Sequence, residues 1–318
     1  MNKVIVVAAV VAVAAVGGVI YANKHAEGVI IEQIELANKS YAEMAGNGLM
    51  PAINLGYQSV SANVLRSTYT ISGMDVSVDG LGQVATIESV VAKGIPLNGG
   101  LADKASAQIQ GVKLAGPVLQ LLPPDISVFV QGLALHADYQ YRYTPASGEL
   151  LFEQDTRIND ELSLSYRFTL SQMQQLWAYA KELSELSPAE QQELSMQDSY
   201  IADVTAKLMT AAINDGQLVI NNNGFIERMV DMGSQAGMMP PLDALRGMAL
   251  MGLAADETLP LSFKESLVNF VNQPNKLTLS FGFTEPLALT AIESGELLPV
   301  MQTPEQMIEF ANVKLLAE

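Results

Sequence analysis

Residues 133–170 read LALHADYQYRYTPASGELLFEQDTRINDELSLSYRFTL, and their period decides the fold class. Leu133, Leu135, Ala137, Tyr139, Tyr141 and Tyr143 recur at every second position, and so do Leu162, Leu164, Tyr166, Phe168 and Leu170. A period of two places each set on one face of an extended chain, as half-buried antiparallel strands require. Pro145 to Gly148 supplies turn chemistry between two such runs, which predicts a hairpin.

Working upstream, Ile53, Leu55 and Tyr57 alternate, as do Leu65, Ser67, Tyr69 and Ile71. The segments 71–74, 109–112 and 130–133 share the order apolar, polar, Gly, apolar, and 92–95 is a weaker copy. A glycine inside a strand marks a bulge or bend. The echo therefore predicts a curved sheet whose concave face holds something, unless it is a chance recurrence of strand residues. Asp79-Gly80 reads as a hairpin turn. The neighbouring Gly80, Gly82 and Ala85 resemble a dinucleotide loop only superficially, because Thr86, Ile87, Val90 and Val91 continue as a strand where that loop needs a helix N-terminus.

Before the strands, Ile30, Ile34, Ala37, Tyr41 and Met44 recur at helical spacing, which predicts a helix over 26–46 closed by Gly46-Asn47-Gly48. Downstream of 170 the helical period returns. Ser171 and Gln174 predict a capping box ahead of Trp177, and Ser187-Pro188-Ala189-Glu190 predicts a second helix start. Ile201, Val204, Leu208 and Ala211 continue at helical spacing. A short strand is expected at 218–221, a turn at 222–224, and helices at 225–236 and 242–255. A further strand is expected at 276–283, and Thr303-Pro304-Glu305-Gln306 opens a last helix. The expected class is α+β: a mainly antiparallel β region over 26–170 behind its leading helix, then a mainly helical region over 171–318 with a few strands, packed on the first region or continuous with it as one domain.

The N-terminus predicts location. Val4 to Ala22 contains no charge, and 19 residues of helix span about 28 Å, close to the hydrocarbon core of a bilayer. Only Met1, Asn2 and Lys3 precede it, a short positive leader that stays inside. Residues 1–25 thus read as a membrane anchor, with a cleaved signal peptide as the competing reading. The expected topology is a single pass through a bacterial inner membrane, with the body in the periplasm.

The chain carries 17 basic and 34 acidic residues, a net charge of −17, and all the basic residues except Lys3 follow the apolar run. Such a body repels phosphate backbones, which argues against nucleic acid as a partner. The absence of cysteine removes disulfides, thiolate metal sites and thiol nucleophiles. No nucleophile elbow, Walker loop or zinc-protease motif occurs. His136 and Asp138 share a strand face but lack the further ligands that zinc needs. Asp155, Asp160 and Glu161 sit at the hairpin edge as solvated carboxylates. No catalytic residue, metal or cofactor is expected.

Methionine is the most unusual feature of the composition. Met229, Met232, Met238, Met239, Met248 and Met251 are six of the chain's 15, with Leu242, Leu245, Leu250 and Leu253 among them. Flexible thioethers suit adaptable apolar surfaces. Met229, Met232, Met248 and Met251 are the candidate ligand-binding residues, and a plain core helix pair is the alternative.

The leader, the apolar run, the acidic helix and residues 55–67, LGYQSVSANVLRS, resemble the YdgA-like family of bacterial envelope proteins over residues 1–78. Residues 222–228, NNGFIER, are similar to a segment recurring in periplasmic proteins. The resemblance implies an inner-membrane anchor and a periplasmic body, and it brings no catalytic residues. The expected function is a non-catalytic, membrane-anchored envelope protein that binds an apolar, lipid-like ligand or a protein partner. A carboxylate-based envelope hydrolase and a purely structural scaffold are the alternatives.

Overall fold

The structure is a computed structural model that describes residues 26–48, 50–63, 66–95, 100–186, 190, 193–194, 197–295 and 302–318. The expected anchor at Val4–Ala22, the strand residue Leu65 and the helix start at Ser187–Ala189 lie outside the described residues. The chain is α+β, and every described strand pairing is antiparallel. Residues up to 140 and residues from 141 form two compact units, and the chain passes from one to the other within a strand.

The first unit opens with helix α1 (Ala26–Gly46), over the span its periodicity predicts. Five strands follow: β1 (Ile53–Gly56), β2 (Ser59–Asn63), β3 (Thr68–Val78), β4 (Gly82–Lys93) and β5 (Lys104–Leu114). Short helices α2 (Gly116–Leu119) and α3 (Pro124–Gln131) lead into β6 (Leu135–Thr144), which crosses the unit boundary. The strand order is β1-β3-β4-β5-β6, with β2 paired to β3 beside β1. Asp79-Gly80 makes the β3–β4 turn, with Gly80 at φ +77°.

Ile30 and Ile34 of α1 close one face of this sheet over Leu55, Tyr69, Ile71 and Val76, all buried. Asn38 fixes the helix to β1, donating Nδ2–H to the Leu55 carbonyl at 3.0 Å and accepting the Leu55 N–H at 2.7 Å. Both polar groups of that strand residue are thereby satisfied where the ladder cannot reach them.

Two of the glycine echoes share one row of this sheet. Ser72 pairs with Ser89 and Met74 with Ile87, while Thr86 pairs with Lys113 and Ser89 with Gln110, so Gly73, Glu88 and Gly111 lie side by side. Gly73 and Gly111 adopt φ +60° and +65°. At that row the core-facing set changes parity in all three strands: Tyr69 and Ile71 give way to Met74 and Val76, Ile87 to Val90, and Ile109 to Val112. Each strand carries one extra residue at the same level, so the pairing register survives the change of face. The third echo is different. Gly132 caps α3 at φ −78°, because the Pro123-Pro124 start had already committed that segment to a helix.

The second unit holds β7 (Glu149–Ile158), β8 (Leu162–Ser171), β9 (Ala212–Asn222), β10 (Lys276–Ala288) and β11 (Lys314–Ala317), adjacent in that order. Its helices are α4 (Gln174–Glu185), α5 (Asp198–Leu208), α6 (Phe225–Gln235), α7 (Leu242–Ala255), α8 (Leu261–Asn272), α9 (Leu289–Glu293) and α10 (Pro304–Phe310). The turn before β7 closes through Gly148 N–H to the Thr144 carbonyl at 2.8 Å, with Gly148 at φ +68°. Trp177 of α4 is buried, stacked on Tyr143 with centroids 4.4 Å apart.

Two capping expectations separate here. Thr303 and Gln306 form the capping box of α10. Ser171 does not cap α4: it ends β8 and donates Oγ–H to Asn214 Oδ1 at 2.7 Å, so the helix starts without a side-chain cap. The strand at 218–221 extends back to Ala212, and α8 and β11 were not anticipated.

Candidate functional site

In the second unit the strand register sorts side chains onto two unlike faces. Phe152, Phe168, Gly216 and Phe281 form one row across β7–β10. Gln154, Tyr166, Leu218, Leu279 and Leu315 form the next, and Thr156, Leu164, Ile220 and Leu277 the one after. Directly opposed residues share a face, so this face is dominated by aliphatic and aromatic groups. The opposite face carries rows such as Glu153, Arg167, Gln217 and Ser280. Phe152 stacks between Tyr166 and Phe168, with centroids 5.9 and 5.2 Å away. Gly216 leaves the space in which the Phe281 ring lies, and a Cβ there would overlap that ring. Tyr166 donates its hydroxyl to Gln154 Oε1, and burial of the ring raises its phenol pKa above the ordinary value.

This apolar face is not sealed. No residue of β7 or β10 is buried, and the buried residues of β8 and β9 are Thr169, Ala212, Gly216 and Asn222. The helices that follow β9 are equally open. α7 contains only Asp243 and Arg246 as charges in 14 residues, yet none of its residues is buried. A helix apolar on all sides is ordinarily an interior or membrane element.

Among the candidate methionines, Met229 and Met232 are half-buried one turn apart on α6, and Met248 and Met251 are exposed one turn apart on α7. The two helices are in contact, and none of the four residues lines the cleft formed by α7 and α8. The cleft on this surface lies on the other side of α7. It measures about 420 Å³ and is walled by Leu250, Leu253 and Ala254 of α7 and by Leu261, Lys264 and Val268 of α8. The α8 half was missed in the sequence, although Pro260 at the N-cap and Leu261, Lys264, Leu267, Val268 and Val271 at helical spacing were there to be read. A second apolar cleft, about 280 Å³, lies between β10 and α10 against Phe283, Met307 and Phe310.

The NNGFIER segment is a structural staple. Asn222, buried, accepts the Ile226 N–H at 2.9 Å and donates to Glu227 Oε2 at 2.7 Å and to the Pro274 carbonyl at 2.6 Å. Gly224 takes φ +77°, and Arg228 pairs with Glu161 at 2.8 Å. These bonds start α6 directly from the end of β9 and tie it to the β7–β8 turn and the start of β10.

The other candidates are engaged within their own sheets. His136 Nδ1 lies 2.8 Å from Gln110 Oε1 and 3.3 Å from the Gly111 N–H, while Asp138 accepts from Gln108 Nε2 at 2.8 Å. Asp155 accepts a hydrogen bond from Ser165. Among the described residues no cluster of three metal-ligating side chains occurs, and no helix is long and apolar enough to cross a membrane.

A family model with the description "Uncharacterized protein" matches residues 155–318. The chain belongs to this family. The matched span contains the amphipathic sheet from Asp155 onward, the NNGFIER staple and the methionine-bearing helices, whereas residues 1–78, which carry the YdgA-like resemblance, lie outside it. No curated protein matches the chain.

Proposed function

We propose that this protein is a non-catalytic binding protein of the bacterial envelope that holds an apolar, lipid-like ligand on its second unit. In this reading residues 4–22 anchor it in the inner membrane, as their length and lack of charge favour, and the body lies in the periplasm, as the YdgA-like resemblance implies. The observation that carries the reading is the combination of an unsealed apolar sheet face with α7, which carries charge only at Asp243 and Arg246 and buries no residue. Pockets for apolar ligands are commonly about 300–1,000 Å³ with few polar groups, and the α7–α8 cleft at about 420 Å³, with Lys264, Glu265 and Asn269 beside its leucines, falls within that range. Coordinated extra residues at Gly73, Glu88 and Gly111 further favour a curved sheet in the first unit.

The test is titration of the purified full chain with a fluorescent fatty-acid probe, together with mass spectrometry of lipids retained after mild extraction. Saturable uptake that falls in Leu253→Asp, with thermal melting unchanged, is the expected result. No uptake and no retained lipid would overturn the proposal.

A further inference from the structure

On the first unit's sheet, opposite the face that α1 covers, three polar side chains each lie over a glycine. Asp75 lies over Gly56, Gln58 over Gly73 and Glu88 over Gly111, and a Cβ on any of these glycines would overlap the side chain above it. A glycine within a strand marks a place where another group approaches the backbone closely, and bulges collect beside functional sites. Asp75, Thr86 and Lys113 oppose one another across β3, β4 and β5. With the bulged row of Gly73, Glu88 and Gly111 they border a recess of about 510 Å³, which Gln58 and Gln83 also line. Elsewhere on this face polar side chains satisfy one another: His136 meets Gln110 and Asp138 meets Gln108, each at 2.8 Å. In the recess they do not. Among the described residues the Asp75 and Glu88 carboxylates and the Lys113 ammonium have no side-chain partner, although Asp75 and Lys113 carry opposite charge on one row.

We infer that this recess is a second binding site, which takes a short peptide with free ammonium and carboxylate ends. It is independent of the apolar ligand proposed for the second unit. Neighbouring strands lie about 4.8 Å apart, so the Asp75 and Lys113 backbones are separated by roughly 10 Å. Charge-assisted contacts of about 2.8 Å at each end leave roughly 4 Å between the ligand's own charged groups. Asp75 leans over Gly56, away from Lys113, which lengthens that gap. An α-amino acid carries both charges on one carbon and is too short to bridge it, whereas a dipeptide spans it. Gln58, Gln83 and Thr86 offer the donors and acceptors that a peptide group matches. No aromatic side chain lines the recess, so a planar base has no ring to stack on. With two carboxylates to one ammonium the recess keeps a net negative charge, which favours a peptide with a basic side chain.

The experiment is isothermal titration calorimetry of the full chain at low salt with alanyl-lysine, alanyl-alanine and alanyl-glutamate. Alanyl-alanine is also titrated with its N-terminus acetylated or its C-terminus amidated. We expect saturable binding that weakens in the order given, and a loss of about tenfold on capping either end. Lys113→Gln, at an exposed position, should weaken free alanyl-alanine about tenfold and change the amidated peptide little, because that peptide lacks the carboxylate. Asp75→Asn should act in the same way on the ammonium end, with the acetylated peptide as its control. Melting temperature is read on both variants, and should Asp75→Asn melt early, the exposed Lys113→Gln still decides the matter. No saturable heat with any free-ended dipeptide overturns the site. Capped peptides that bind as tightly as the free one, or binding indifferent to Lys113→Gln, also overturn it. Fatty-acid probe capture should be unchanged in Lys113→Gln, so failure here leaves the apolar-ligand reading standing.

Discussion

In the first unit Val76, Val84, Ile87 and Val90 are sealed on β3 and β4, and α1 adds Ile30 and Ile34 to the same cluster. In the second unit β7 and β10 are also antiparallel and also rich in Leu and Phe, yet neither contains a buried residue. The strands differ less in composition than in what covers them. Fully burying a Val or Ile side chain stabilises by roughly 1.5–3 kcal/mol, and a half-exposed Leu or Phe forgoes part of that. Strands β3 and β4 have committed their apolar side chains to folding, while β7 and β10 keep part of theirs available. A surface of that kind is either a binding site or a liability, and the proposed function assigns it to binding.

The largest expected effect probes the sealed side. Ile87→Ala should cost roughly 2–5 kcal/mol, since it opens a cavity among fully buried neighbours. Leu164→Ala, at a position 36% exposed, should cost much less. Urea unfolding of both variants measures this, and equal losses would break the contrast between the units.

Next is the staple. Asn222→Ala leaves the Ile226 N–H and the Pro274 carbonyl without their side-chain partner and should cost about 1–3 kcal/mol. Asn223→Ala removes only an exposed bond of 3.3 Å to the Asp160 carbonyl and should be nearly silent in the same melting experiment.

Gly111→Ala should cost ~1–2 kcal/mol for holding an L-residue in the left-handed region, with Glu88 Cβ 2.8 Å from the new methyl as a further obstacle. Gly247→Ala on α7, where a Cβ meets open space, should be neutral or slightly stabilising by thermal melting.

The smallest effect concerns the α7–α8 turn. Asp256 accepts from the Thr258 hydroxyl and N–H at 2.7 Å each, and these bonds hold its carboxyl below the ordinary aspartate value. A depressed folded-state pKa contributes stability above the unfolded-state value, and that contribution is lost as pH falls through the folded one. Asp256→Asn should therefore remove a small part of the acid sensitivity of melting and leave melting at neutral pH almost unchanged.

Helix α1, the hairpin around Gly148 and helices α6 and α7 were legible in the sequence, because their periods and punctuation act locally. The glycine echo was legible as residues but not as geometry. Only the cross-strand register puts Gly73, Glu88 and Gly111 in one row, and the same pattern at Gly132 was absorbed by a proline-started helix. The methionines were legible as a cluster, but their division into half-buried Met229 and Met232 and exposed Met248 and Met251 depends on how α7 packs against α6 and α8. Helix α8, and with it half of the cleft, was missed because its periodic residues follow directly on the Leu259-Pro260 break.

The central claim is that apolar area is sealed on β3 and β4 and open on β7, β10 and α7. Paired charge insertion, Met74→Asp against Met248→Asp in the full chain, tests it most directly when thermal melting is read on both variants. The account predicts that Met74→Asp abolishes cooperative melting, because an unpaired carboxylate in that core is costly. It predicts that Met248→Asp, at an exposed position on α7, melts like the parent. Met248→Asp unfolding as completely as Met74→Asp would contradict it.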